Sequence, residues 1–91
     1  MPIVKLEKKH KLGAEEAKRR VQGMEESLHQ RYGLKVAWTG HRATFRGKAF
    51  AGSIDVNDDL VDIALSLGLA ASPFAGRIRQ QLSAEMSKAF Q

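Results

Sequence analysis

The sequence predicts a two-layer α+β domain in which a five-stranded antiparallel sheet carries both helices on one face. Three observations predict it: apolar residues at three- and four-residue steps from Ala14 to Tyr32, four short runs of alternation between Leu34 and Leu67, and a second helical stripe from Phe74 to Phe90. At 91 residues the chain makes one domain, 1–91, because a second core would have too few residues to fill it.

The elements follow in order. Ile3 to Lys8 starts β-branched and reads as a strand that ends in the basic segment Lys8-Lys9-His10-Lys11. Ala14, Ala17, Val21, Met24, Leu28 and Tyr32 then form the stripe of one amphipathic helix. Gly13 suits its N-cap, Glu15 and Glu16 suit the positive end of its dipole, and Gly33 supplies a left-handed stop. Gly23 lies inside it at a cost of about 1 kcal/mol relative to alanine.

Four strands follow: Leu34, Val36 and Trp38 alternate up to Thr39-Gly40-His41, Ala43 and Phe45 up to Gly47-Lys48, Phe50, Ile54 and Val56 up to Asn57-Asp58-Asp59, and Val61, Ile63, Leu65 and Leu67 up to Gly68. Connections this short demand antiparallel neighbours, so the four make a meander. Ser72 suits an N-cap and Pro73 the first helical position, and Phe74, Ile78, Leu82, Met86 and Phe90 repeat every fourth residue. The first strand is expected to pair with the last, which makes the fold helix-grip-like, β-α-β-β-β-β-α.

Composition narrows the function. Without cysteine there is no disulfide, thiolate metal site or cysteine nucleophile. The first seven residues lack the apolar core of a secretory signal and no run is long enough to span a membrane, so a cytoplasmic protein is the expectation. Of the net charge of +5, the first 48 residues hold 12 Lys/Arg against 5 Asp/Glu and the remainder 3 against 5. Lys8, Lys9, Lys11, Arg42 and Arg46 are the candidate surface for an anionic partner.

No constellation carries a reaction. His10, His29 and His41 share no spacing with a second ligand or base, so no metal site is expected. Asp55-Val56-Asn57-Asp58-Asp59 imitates the start of a calcium loop but lacks its glycine and its closing glutamate, and reads as a turn. Glu15 to Arg19 and Glu16 to Arg20 are helical ion pairs. With no glycine-rich phosphate loop and no nucleophile elbow, the sequence predicts neither catalytic residues nor a cofactor.

The apolar group Trp38, Phe45, Phe50, Ile63, Phe74 and Ile78 is expected to point inward, as core or as the wall of a groove under the C-terminal helix that takes an acyl chain. With those aromatics inside, no stacking platform remains, and nucleic acid is left only nonspecific attraction to the basic residues, Lys18, Arg19 and Arg20 included. The other sheet face, with Ala37, Thr44, Ala51, Ser53 and Ala64 at its centre, is small and smooth, and offers a surface on which a second copy can stack.

His10-Lys11-Leu12-Gly13, Glu15-Glu16-Ala17, Tyr32-Gly33-Leu34, Leu65-Ser66-Leu67-Gly68 and Pro73-Phe74-Ala75-Gly76-Arg77-Ile78 together resemble the polyhydroxyalkanoic acid system proteins, small bacterial proteins encoded among genes for polyester storage granules. The resemblance covers nearly the whole chain, through caps and turns that carry no catalytic signature. It implies a cytoplasmic accessory of polyhydroxyalkanoate metabolism associated with the granule surface, and with no reaction or ligand to carry onto particular residues the leading expectation is a non-catalytic binding module that touches granule-coat or other proteins, or weakly an acyl chain or the polyester. Granule association requires an exposed apolar patch or a basic surface, and the sequence offers the second more clearly. A helix-grip carrier of small acyl ligands and a basic nucleic-acid-binding regulator are the alternatives.

Overall fold

In the computed structural model, which describes residues 3–90, strands β1 (Ile3–Lys9), β2 (Lys35–Thr39), β3 (Arg42–Arg46), β4 (Phe50–Val56) and β5 (Leu60–Leu67) form one antiparallel sheet. Its order, β1-β5-β4-β3-β2, puts the first strand against the last, as the meander and its free edge predict. Helices α1 (Ala14–Gln22), α2 (Glu25–Tyr32) and α3 (Ala75–Ala89) cover one face. Buried between the two layers are Val21, Met24 and Leu28 from the first helical pair, Phe45, Ile54, Ile63 and Leu65 from the sheet, and Ile78, Leu82 and Met86 from α3.

The long N-terminal helix expected from the stripe is two helices. At the joint the Gly23 N–H still reaches the Arg19 carbonyl at 3.0 Å, but the Met24 N–H reaches only three residues back, to Val21 O at 2.9 Å. This single tight turn at a residue of low helix propensity interrupts the α-helical hydrogen bonding, and Val21, Met24 and Leu28 all stay inward. Helix α2 ends at Gly33 in the left-handed conformation, φ 66°, as the stop signal predicts.

The N-terminus of α1 is capped from a distance. Asp58, in the β4–β5 turn, accepts the Ala14 N–H on its Oδ1 at 3.2 Å and the Gly13 N–H on its carbonyl at 3.2 Å. The segment that imitates a calcium loop therefore serves as a helix cap, and its carboxylate sits at the positive end of the dipole.

The entry to α3 also departs from expectation. The chain passes through a 3₁₀ turn at Ser72–Phe74 before α3 begins, and Ser72 caps nothing: its hydroxyl donates backward to the Gly68 carbonyl at 3.0 Å. A 3₁₀ turn rotates successive side chains by about 120° instead of about 100°, which swings Phe74 out of line with Ile78. Ala71 fills the inward position and Phe74 is 53% exposed.

Candidate functional site

Under α3 the apolar side chains leave one narrow gap. Its floor is Phe45, Phe50, Ile54, Ile63 and Leu65, its roof Ile78 and Leu82, and its wall Met24, Leu28, Tyr32 and Leu34. Four of the six residues assigned to the groove, Phe45, Phe50, Ile63 and Ile78, thus meet here. The free volume is about 10 Å³, close to the least that one water requires, so this gap is packed and has no room for an acyl chain.

A polar seam joins α2 to α3 beside this gap, and Tyr32 belongs to both. The Tyr32 hydroxyl donates to Gln81 Oε1 at 2.6 Å, the Ser27 hydroxyl to Glu85 Oε1 at 3.3 Å, and Arg31 pairs with Glu85 at 3.3 Å, tying α2 to α3. Tyr32 also packs edge-on against Phe50 with ring centroids 5.7 Å apart. Burial of the phenol raises its pKa above the ordinary 10.0, with Arg31 opposing that shift and Glu85 reinforcing it.

The other two groove residues lie elsewhere. Trp38, on edge strand β2, is half-buried beside the α1–α2 joint: its indole N–H donates to Glu25 Oε1 at 2.5 Å, and the Lys18 ammonium sits 5.1 Å from the ring centroid while donating to Gly40 O at 2.7 Å. Its partial exposure follows from that edge position, where a polar clamp replaces a second apolar layer. Phe74 lies outside on the β5–α3 connector. The expectation that all these rings point inward together is therefore corrected at Phe74 and holds only in part for Trp38.

The connector is the main apolar feature of the surface. From Gly68 to Phe74 the backbone closes on itself, with the Ala71 and Ser72 N–H groups both on the Gly68 carbonyl at 3.1 Å and the Gly68 N–H on Ala49 O at 2.8 Å. Held by those bonds, Leu69 is 88% exposed and Phe74 53% exposed, with Ala70 and Pro73 also in solvent. No charged residue occurs between Asp62 and Arg77, and exposed Lys48 and Arg77 flank the connector in the chain and across the Gly68–Ala49 bond. That uncharged run outlasts the strand it begins in, a signal available in the sequence and obscured by treating Phe74 as core.

The basic residues do not converge. Lys8 and Lys9 point to opposite sides of edge strand β1, Lys11 lies in the next loop, and Arg42 and Arg46 sit three strands away on the open face, where Arg42 pairs with Asp55 at 3.4 Å. Arg19 and Arg20 pair with Glu16 at 3.9 Å. The histidines have structural partners. His10 Nε2–H donates to Asn57 O at 3.0 Å while its Nδ1 accepts the Leu12 N–H at 3.2 Å, and its ring stacks on Phe90; His29 donates to Leu34 O at 3.2 Å, and His41 Nε2 lies 2.9 Å from Glu15. Among the described residues no group of acidic or histidine side chains is placed to hold a metal ion, and no helix is long and apolar enough to cross a membrane.

Comparison with known proteins gives a family and a fold. The family model described as "Putative polyhydroxyalkanoic acid system protein" matches residues 4–90. The crystal structure of TTHA0849 from Thermus thermophilus is similar with a TM-score of 0.50 over 97% of this chain and 88% of that one, at 15% sequence identity. At that identity the likeness shows the fold alone. No curated protein matches the chain significantly.

Proposed function

We propose that this chain, which belongs to the polyhydroxyalkanoic acid system protein family, is a non-catalytic accessory module of polyester storage that works in the cytoplasm and docks on the granule surface through its 68–74 connector. The observation that carries the reading is the exposure of Leu69 and Phe74 on a connector whose own hydrogen bonds hold it in shape. Burying two such side chains against an apolar polymer contributes about 1.5–3 kcal/mol each, enough for at least about a hundredfold change in partition. Lys48 and Arg77 beside them suit an acidic granule coat.

The packed interior favours this surface reading over a carrier. To admit an acyl chain, α3 would have to lift from the sheet and break the bonds of Tyr32, Ser27 and Arg31. The scattered and partly paired cations likewise give nucleic acid no continuous track.

Fractionation of cells making polyester tests the proposal. The wild-type chain is expected on purified granules, and the pair Leu69→Ser and Phe74→Ser in the soluble fraction with an unchanged melting temperature. Equal granule enrichment of the two chains contradicts docking through the connector.

A further inference from the structure

Strand β1 ends the sheet, and the bonds of its neighbours fix which of its backbone groups are left over. The Asn57 N–H reaches Leu60 O and the Gly68 N–H reaches Ala49 O, both at 2.8 Å, so in the alternating antiparallel ladder β5 turns Asp62, Ala64 and Ser66 to β4 and Val61, Ile63 and Leu65 to β1. The register matches these last three with Lys8, Leu6 and Val4, and the His10 N–H on Asp59 O at 3.0 Å continues the same alternation. The N–H and C=O groups of Ile3, Lys5, Glu7 and Lys9 therefore point outward along a strand of seven residues, with no partner among the described residues. On the open face Glu7 also lies opposite Asp62, a like-charge pair that destabilises the strand while it stands alone, and neither Glu7 nor Lys5 has an ion pair among the described residues.

We infer that this edge takes the β1 strand of a second copy of the chain, antiparallel about a twofold axis through Leu6, so that the two sheets join into one. Centred there, the whole strand pairs: Lys5 faces Glu7 of the second copy and Glu7 faces its Lys5, the outward residues exchange their N–H and C=O groups, and exposed Ile3 lies against the stem of the second copy's Lys9. Glu7 then has Asp62 on one side and a lysine on the other. An axis at Lys5 or at Glu7 sets like charges on each other, and one at Lys8 sets Lys8 on Lys8 and pairs only Glu7 to Lys9. The full-length register is thus also the complementary one. Stacking of the open faces has no such match, since an axis along β4 sets Asp55 on Asp55.

The helix side admits this pairing. Leu6 is half-buried and opens into a groove of about 480 Å³ lined from α3 by Arg79, Gln80, Ser83, Ala84 and Ser87. Gln80, Ser83, Ala84 and Ser87 fall on one helical stripe and, the glutamine apart, are short, so they leave Leu6 of the second copy room to cover Leu6. Lysines at positions 5, 8 and 9 oppose a neutral or basic strand at this edge, and a strand that brings a carboxylate to Lys5 answers them. One strand edge falls short of a standard interface, so the dimer is concentration-dependent and sensitive to its two ion pairs. The inference uses none of the connector's residues and is independent of the docking role.

Sedimentation velocity on the full chain from about 10 µM to about 1 mM tests it. The mass is expected to rise from the 10.1 kDa monomer toward twice that value. Lys5→Glu and Glu7→Lys should each weaken association at least about tenfold, and the two combined should restore it to within about threefold, because the reversed charges again face each other. Lys5→Pro removes an outward N–H without breaking a bond to β5, and should abolish association in a chain that circular dichroism melts show to be folded. Amide exchange reads the edge directly: the Lys5, Glu7 and Lys9 amides should gain protection as concentration rises, while those of Leu6 and Lys8 are protected throughout. A strict monomer at about 1 mM overturns the inference, as does a dimer whose Lys5 and Glu7 amides exchange as fast as in the monomer, or a double variant as weak as the singles.

Discussion

The ring of Phe45 lies directly over Gly52, its register partner across β3 and β4, so closely that a Cβ at residue 52 would stand 2.8 Å from Phe45 Cζ and 2.1 Å from the Ala64 carbonyl oxygen. The missing side chain is what lets a phenylalanine sit flat on the middle of the sheet. Gly52→Ala forces backbone to move and should destabilise the fold by about 2–3 kcal/mol. Urea unfolding followed by fluorescence of the single tryptophan measures it.

Asp58 is a cap supplied by another element, and its value is that of a cap. Asp58→Ala leaves the Ala14 N–H without its side-chain acceptor and removes a carboxylate from the helix N-terminus. A loss of about 1 kcal/mol is expected, with no change in the m-value. A thermal shift of several degrees is the corresponding readout for a domain of this size.

The chain has one tyrosine, so its ionisation can be read by ultraviolet absorbance without interference from another. Burial raises the folded-state pKa of Tyr32 above 10.0, which means that the unfolded chain loses the phenolic proton first as pH rises. The contribution to stability is fully present below about pH 10 and declines above it. The titration midpoint should lie above that of a free tyrosine and fall back to it in urea. Gln81→Ala, which removes the acceptor of the phenol, should cost about 0.5–1.5 kcal/mol at neutral pH.

Much of this fold is legible along the chain because the alternation of Val61, Ile63, Leu65 and Leu67 and the helical step from Ile78 to Met86 each follow one period without interruption. Where the structure departs, a local hydrogen bond has overruled the period. The Met24 N–H turning to Val21 splits the first helix, and the 3₁₀ turn at Ser72–Phe74 turns Phe74 outward. Periodicity carries no information on a one-residue change of helix pitch. The candidate site is less legible for the same reason, since it rests on exposure in a connector, and the Asp58 cap joins residues 44 apart in sequence. The meeting of like charges on the open face was hidden too, because Glu7 meets Asp62 only once β1 takes its place beside β5.

Amide shift mapping on the ¹⁵N-labelled chain, with polyester particles or 3-hydroxyacyl oligomers added, tests the central claim most directly. Docking through the connector predicts broadening or shifts at Gly68 to Phe74 and at neighbouring Lys48 and Ala49, with Phe45, Ile63 and Ile78 unmoved. Shifts concentrated at Phe45, Ile63, Ile78 and Leu82 while the connector stays silent would contradict it, and would place the ligand between sheet and helix instead.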